Sequence, residues 1–422
     1  MTVVAALVLL CWVILLLRGF WLFRDRDDRD VPPEPTAWPT VVAVVPARDE
    51  ADVIARTIAG LLAQDYPGYF RVRLVDDASS DGTATVAQTA AAGDPRLTIL
   101  TTPPCPPGWT GKLWALAHGV ASTEAGAAEY LWLTDADIGH APDTLRNLVT
   151  RAVGEGRVLV STMARLHCSS FAERALIPAF VYFFAMLFPF GRVNAPGRTA
   201  AAAGGCVLVR TDALAAAGGI ASIRGEIIDD CALARRLKRE GPIWLGLSTR
   251  SVSLRPYGFD DIRRMVARSA YAQLGYSPLL LAGTVLGMLV LFVGPLVFGA
   301  FSDLAGLFGI ASYLVMTGTM GPIVRYYLYR GGPWSDAFHQ LSEFNARQYY
   351  CSALPVIAIF YVAFTLDSAI QHWRGRGGMW KGRAQALPGA AFSRKQESSV
   401  QSLHPAVAQR ARHLPDAGED AV

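Results

Sequence analysis

The chain has 422 residues, 52% of them hydrophobic, and its 39 Lys and Arg against 35 Asp and Glu leave a net charge of +4. A mean hydropathy of +0.28 excludes an ordinary soluble enzyme and places part of the chain in lipid. The mild charge, with Lys and Arg gathered beside apolar segments, argues against a nucleic-acid partner, and six cysteines without paired spacing argue against a zinc site or a disulfide framework, as suits a catalytic region in reducing cytosol.

Val3 to Phe23 is apolar apart from Arg18 and long enough for a hydrocarbon core of about 30 Å. It has no basic front and no clear small-residue cleavage site, so residues 1–23 are read as a retained membrane anchor. Arg24, Arg26 and Arg29 follow, interleaved with Asp25, Asp27, Asp28 and Asp30, and put the next domain in the cytoplasm. Residues 24–40 end in a stiff, proline-rich linker.

Val41 to Val45 is a β-branched strand, Pro46-Ala47-Arg48-Asp49-Glu50 a loop, and Val53, Ile54, Ile58, Leu61 and Leu62 have helical spacing. The unit repeats: Val72 to Val75 leads into Asp76-Asp77-Ala78-Ser79-Ser80-Asp81-Gly82 and a helix from Thr83 to Ala91. A third strand, Leu97 to Leu100, passes through a proline-rich loop into a helix from Lys112. Leu131 to Asp137 is then a buried strand ending in Asp135 and Asp137, whose side chains the two-residue period points the same way. The alternation predicts a parallel, doubly wound α/β sheet that binds ligand at its strands' carboxyl edge.

Further on come a helix near Pro142 to Val153 and a strand near Arg157 to Thr162. The aromatic run Ala175 to Phe190, interrupted by Pro178 and Pro189, suits an interfacial or re-entrant element. Ala203 to Val209 enters another buried strand, Ile227 to Leu233 opens a helix, and the basic amphipathic helix Asp260 to Gln273 closes a domain spanning residues 41–273. Three apolar segments, Pro278 to Phe301, Leu304 to Val324 and Cys351 to Ile370, fill residues 276–370. Three spans from a cytoplasmic domain leave the carboxyl end outside, whereas Arg374, Arg376, Lys381 and Arg383 argue for inside; a re-entrant segment would reconcile the two. Residues 371–422 are a basic stretch followed by a polar, disordered tail.

Asp135 and Asp137 suit a hard divalent cation, Mg²⁺ or Mn²⁺, that completes its shell with substrate phosphates; a strand-end turn or helix cap is the competing reading. Single histidines such as His118 and His140 are read as structural. Taken in order, Val45 to Glu50, Val75 to Thr83, Gly108-Trp109-Thr110-Gly111-Lys112, Asp135-Ala136-Asp137, Gly204-Gly205 and Asp229-Asp230-x-x-Leu233 closely resemble the family 2 glycosyltransferases of GT-A fold. Within the family the chain is most similar to the membrane-bound, hopanoid-biosynthesis-associated (hopene-associated) branch, over about Thr40 to Tyr271.

The resemblance implies a GT-A-type nucleotide-binding domain between an N-terminal anchor and C-terminal transmembrane helices. It implies inverting transfer of one sugar from a nucleotide-sugar, a UDP-sugar first, to a lipid acceptor at a bacterial-type inner (cytoplasmic) membrane, with the catalytic domain cytoplasmic. A hopanoid or related isoprenoid is the favoured acceptor; polyprenyl phosphate or a ceramide- or glycerol-type lipid is the alternative. Pro46, Arg48 and Glu50 would line the nucleotide pocket, Glu50 meeting ribose or base and Arg48 phosphate; Asp49 stands where the family has Asn and carries no role. Asp76 or Asp77 would accept from the uracil N–H, with an Asx turn as the alternative. Lys112 would contact base or diphosphate, since a cation at a helix start opposes the dipole. Asp137 would bind the metal, and Asp135 would touch ribose or a metal-bound water. Asp230 would be the general base, with Asp229 where Glu is commoner, although such a pair can also cap a helix. Gly204 and Gly205 would let backbone approach the acceptor, or simply form a turn.

Processive members carry Gln-x-x-Arg-Trp before the membrane; here Arg263-Arg264-Met265-Val266-Ala267-Arg268 has no Trp, so repeated addition is not expected. Those three arginines are expected to face anionic head groups, with a diphosphate contact as the alternative. Two rivals remain from other classes. A metal-dependent phosphohydrolase or nucleotidyltransferase would not need Asp76, Asp77 and Lys112, and a non-catalytic membrane scaffold would tolerate loss of the carboxylates.

Overall fold

The computed structural model describes residues 1–122, 128–328 and 347–378. Lys381, Arg383 and the polar tail lie outside the described residues. Eight strands form one sheet in the order β3-β2-β1-β4-β7-β6-β8-β5. β1 (Val41–Ala47), β2 (Phe70–Asp76), β3 (Leu97–Thr101) and β4 (Tyr130–Thr134) run parallel. Every residue of β1 and β4 is buried, which is why their sequences are continuous apolar runs without alternation. α2 (Ile54–Leu62), α3 (Thr83–Ala91) and α4 (Gly111–Ser122) make the connections.

The expected all-parallel sheet is instead mixed. β5 (Ile138–His140) follows β4 directly, and α5 (Thr144–Gly154) leads to β6 (Leu159–Arg165). The chain then passes through α6 (Phe171–Leu187) and α7 (Phe190–Asn194) and arrives at the carboxyl edge of β4, so β7 (Cys206–Arg210) must run back, antiparallel to both β4 and β6. After α8 (Thr211–Ala216) and α9 (Asp229–Leu237), β8 (Ile243–Ser253) pairs parallel with β6 and antiparallel with β5. The strand β8 is not apparent from the sequence pattern.

Past α10 (Phe259–Gln273), three helices among the described residues are long and apolar enough to cross a membrane: α11 (Pro278–Gly299), α12 (Leu304–Leu328) and α13 (Leu354–Trp373). The apolar amino-terminal run forms a shorter helix than expected, α1 (Thr2–Leu17), only about 24 Å at 1.5 Å per residue. It stops where charged Arg18 precedes Gly19 at φ 66°, and Phe20–Leu22 forms a single 3₁₀ turn. Trp12 of α1 is buried, donating its indole N–H to the Leu291 carbonyl at 2.8 Å and meeting Phe292 edge-on. Among the expected interfacial residues, α6 is a regular helix opened by a reciprocal Ser170–Glu173 cap. It lies between the sheet and the long helices: Tyr182 hydroxyl meets Thr319 at 2.8 Å, and Tyr361 hydroxyl donates to the Leu176 carbonyl at 2.8 Å. The carboxyl ends of α12 and α13 both abut the sheet domain's flank, through Arg165 to the Tyr327 carbonyl and through Trp373 against Tyr271.

The acidic residues of the linker have a structural task. Asp27 is only 2% exposed and accepts from Ser248 Oγ, Thr249 N and Thr249 Oγ1 at 2.7–2.9 Å, while Leu247 N donates to the Asp25 carbonyl. The linker is thereby stitched along β8. Asp27→Ala, which strands these donors, is expected to cost about 3 kcal/mol, read as a lowered thermal midpoint in detergent. Exposed Asp28→Ala should leave the midpoint nearly unchanged.

Candidate active site

The carboxyl ends of β1, β2 and β4 and the amino end of β7 meet along one edge. Contrary to the two-residue-period expectation, β4 stops at Thr134, and Asp135 to Asp137 form a turn before β5. Pairing with β1 ends at Leu133, and Thr134 Oγ1 then bonds the Gly205 carbonyl at 2.9 Å. The Asp137 carbonyl accepts from Leu254 N at 2.8 Å. His140 is buried between Thr134 Oγ1 and Ser251 Oγ at 2.8 and 2.9 Å, and its burial lowers the imidazole pKa to about 3, so it is structural, as read from the sequence.

Lys112, at the start of α4, faces Asp229, at the start of α9. Its Nζ lies 2.8 Å from Asp135 Oδ1 and 3.2 Å from Asp229 Oδ2. Burial works against its charge, but the carboxylates of Asp135 and Asp229 more than offset that and hold the ammonium well above its ordinary pKa. Asp229 moves the other way: despite burial, Lys112 and Arg268 keep it below the usual carboxylate range. Asp230 is pushed up to about 6, first by burial and then by its neighbour Asp229, although it accepts from Gly204 N at 3.0 Å and Cys231 N at 2.7 Å. The cap position of α9 is Ile228, so the Asp pair occupies the first helical turn and is not the N-cap. A Cβ on Gly204 would sit 3.3 Å from Lys112 Nζ and 3.6 Å from Asp230, so a side chain there would crowd the pair. Pro46, Lys112, Asp135, Gly204, Asp229 and Asp230 line a single cavity.

Beside it stands a second charged group. Asp137 is raised to about 6 by burial and then by Asp135 and Glu50. Arg255, just past β8, offsets this: it pairs with Glu50, with Asp52 at 2.8 Å and with Asp137 at 3.8 Å. Among the described residues no three His, Cys, Asp or Glu side chains form a ready metal cage. The donor set nonetheless fits a hard divalent cation, because Asp137 and Asp135 crowd negative charge at an open edge and a phosphate-bearing ligand can supply further oxygens.

The remaining expected donor-binding residues hold each other. Arg48 bonds the Asp77 carbonyl and lies 3.3 Å from Asp77 Oδ2, and Thr102 Oγ1 reaches Asp77 Oδ1 at 3.1 Å. Asp76 accepts from Ser79 N at 3.4 Å and from Ser79 Oγ, three residues on. Asp49, at φ 50°, accepts from Ser80 N at 2.8 Å, and Glu50 N donates to Thr83 Oγ1 at 2.8 Å, so the first two strand-end loops are one cross-linked wall. α2 begins at Ile54, whose N–H donates to the Glu50 carbonyl at 2.9 Å.

Arg263 pairs with Asp260 and Asp367 and Arg264 with Asp261, while Arg268 bears on the Lys112–Asp229 pair. Arg255 escapes sequence reading. The only signal for it is a cation following the β-prone stretch Ile243 to Ser253, which would put a positive charge at the sheet edge holding the carboxylates.

Residues 39–249 match the family model described as "Glycosyltransferase like family 2", which is half of the 422-residue chain. An N-acetylglucosaminyltransferase of Mesorhizobium japonicum is 28% identical over 144 residues, covering 34% of this chain and 32% of that protein, so the chain spans about a third of that relative's length. A mannosyltransferase from Pyrobaculum calidifontis, solved with GDP-Man and Mn²⁺, shares 20% identity with a TM-score of 0.52 over 88% of this chain and 98% of that one; this likeness shows the fold. Every carboxylate and lysine at the sheet edge lies within the matched span, and the chain belongs to the glycosyltransferase-like family 2.

Proposed function

We propose that the chain is a membrane-bound, inverting glycosyltransferase that moves one sugar from a nucleotide-sugar to a lipid hydroxyl, with a hopanoid or related isoprenoid lipid as favoured acceptor. The observation that carries the reading is the pair of opposed charged groups at one edge: buried Asp230 raised to about 6 beside Lys112, and Asp137 beside Arg255. A UDP-sugar is the first donor; the Pyrobaculum neighbour's GDP-Man makes a GDP-sugar the second.

In this reading Asp230 takes the proton of the acceptor hydroxyl. The hydroxyl oxygen bonds to the anomeric carbon while the bond from that carbon to the diphosphate oxygen breaks, and the electron pair leaves with the nucleoside diphosphate; one displacement inverts the centre. Lys112 faces the charge that develops on the leaving group. Asp137 with Asp135 would hold Mg²⁺ or Mn²⁺, which when bound neutralises diphosphate charge. Gly204 keeps the approach to Asp230 open.

The membrane reading rests on α11, α12 and α13 and on α1, whose Val3, Leu7, Leu10 and Leu17 are exposed and apolar. We assign α1 as an anchor with α11 and α12 as crossings of an inner membrane, the sheet domain being cytoplasmic. α13, packed along amphipathic α10 through Arg263–Asp367 and Ser368–Tyr271, is the re-entrant or surface-lying segment. That assignment leaves Arg374 and Arg376 on the cytoplasmic side, as their charge requires.

The test is to incubate purified protein with UDP- and GDP-sugars, Mn²⁺ or Mg²⁺ and hopanoid-containing lipid, and to follow the lipids by mass spectrometry. The expected product is a lipid gaining one hexose or N-acetylhexosamine, lost with EDTA and restored by excess Mn²⁺. An adduct only on polyprenyl phosphate or a ceramide- or glycerol-type lipid moves the acceptor. Release of sugar phosphate or pyrophosphate, with no transfer, sinks the reading in favour of a phosphohydrolase or nucleotidyltransferase.

A further inference from the structure

A cavity of about 860 Å³ lies where the linker, β8 and α12 meet. None of its lining residues is shared with the cavity that holds Lys112 and Asp230. Among the described residues five arginines line it, Arg26, Arg29, Arg165, Arg325 and Arg347, and no carboxylate does; Asp28 grips Arg26 from outside the lining. Two of the guanidiniums are fixed in place. Arg26 and Arg165 stack on the Tyr326 ring at 5.5 and 5.4 Å, Tyr326 hydroxyl is anchored on the Ser248 carbonyl, and Arg165 also donates to the Tyr327 carbonyl at 2.8 Å.

The opposite wall has different chemistry. Trp21 and Leu22 come from the turn after α1, and Leu314, Gly318 and Gly321 from α12. At Gly318 and Gly321 a Cβ would meet nothing within 4 Å, so this stretch of α12 borders open space. The cavity is therefore amphiphilic, with clustered guanidiniums at the sheet-domain end and apolar helix surface leading from it. Guanidinium forks match phosphate oxygens, and basic pockets at the cytoplasmic ends of membrane helices suit anionic head groups.

We propose that this cavity binds the phosphate head group of an anionic membrane phospholipid, with an acyl chain along the Gly318–Gly321 stretch of α12. The site is separate from the catalytic edge and tied to it by β8, which lines the cavity at Leu247 and Thr249 and leads on to Arg255. It rests on the membrane reading above.

The experiment uses full-length protein. Membrane fractionation is followed by native mass spectrometry and thermal unfolding in neutral detergent with added phosphatidylglycerol, phosphatidylcholine or inorganic phosphate. Phosphatidylglycerol is expected to be retained and to raise the unfolding midpoint, phosphatidylcholine and inorganic phosphate doing neither. Arg165→Gln with Arg325→Gln should lower phosphatidylglycerol retention by about tenfold or more, and exposed Arg29→Gln, which disturbs no packing, should lower it by a few-fold. Equal retention of the two lipids, or undiminished retention in Arg29→Gln and in the double variant, overturns the proposal. Stabilisation by inorganic phosphate alone overturns it in favour of a soluble anion. Wild-type protein recovered without membranes sinks the membrane reading itself, a result distinct from membrane-bound protein that fails to select the anionic lipid.

Discussion

Asp230→Asn is expected to lower kcat for sugar transfer by about 10²–10⁴-fold while donor affinity changes little. Gly204 N and Cys231 N bond different oxygens of the carboxylate, so the amide oxygen keeps one of the two bonds, and the groups assigned to the donor, Lys112 and Asp137, are untouched. Only the proton acceptor is gone. The wild-type pH profile follows from the same residue. Because burial and Asp229 raise the carboxyl to about 6, the base is mostly protonated below that pH, and kcat/KM should climb from pH 5, pass its half-maximum near 6 and level off by about 7. The stability effect has the opposite sign. A carboxyl whose folded pKa lies above its ordinary 3.8 binds its proton more tightly when folded, so its contribution to stability declines as pH rises from about 3.8 to 6. In Asp230→Asn the relief of the buried charge at pH 7 is set against the loss of one backbone hydrogen bond, about 1 kcal/mol, so the variant should stay folded with a midpoint near that of wild type, which separates loss of chemistry from loss of fold. Turnover, donor titration and thermal unfolding on one preparation check all three; substantial activity in a folded Asn variant would place the base elsewhere.

The parts legible in the sequence are those decided by neighbouring residues. β1 is a β-branched run, β4 a continuous apolar one, β2 leads into the Asp- and Ser-rich turn that ends at Gly82, and α3 begins at the Thr83 that follows. Lys112 was readable because a cation at a helix start lacks a local reason, and the structure supplies a distant one in Asp229. What escaped depends on contacts far along the chain. β8 carries Gly246, Ser248, Thr249 and Ser251, too polar for a core strand until Asp27, 221 residues before Ser248, satisfies its hydroxyls and amides. The direction of β7 depends on where α6 and α7 deliver the chain, which no window of residues records. The turn at Asp135 to Asp137 likewise follows from β1 ceasing to pair beyond Leu133, and the early end of α1 from a single left-handed glycine after Arg18.

Lys112→Met should both disable the donor site and loosen the fold. Met nearly preserves the chain's length and apolar stem but removes the charge that lies between Asp135 and Asp229, leaving two carboxylates facing each other across a partly buried gap. Removing one partner of a buried ion pair costs about 3–5 kcal/mol. With Asp135 one-third exposed and Arg268 still acting on Asp229, about 2 kcal/mol is the expected loss. The pH dependence identifies the cause. In wild type the lowered Asp229 stabilises the fold above its ordinary 3.8, and that contribution is lost as pH falls below it, while the raised Lys112 loses its contribution only above 10.5, so stability through this group is flat from pH 5 to 7. Without the ammonium, burial and Asp230 should raise Asp229, so the variant should gain more stability as pH falls from 7 to 5 than wild type gains through Asp230 alone. Adding Asp229→Asn should restore most of the loss at pH 7 without restoring turnover, because the positive charge facing the leaving diphosphate is still missing. Thermal midpoints at the two pH values, with turnover measured alongside, decide the matter: a variant with wild-type midpoints and wild-type turnover would make Lys112 a surface charge and remove it from the site.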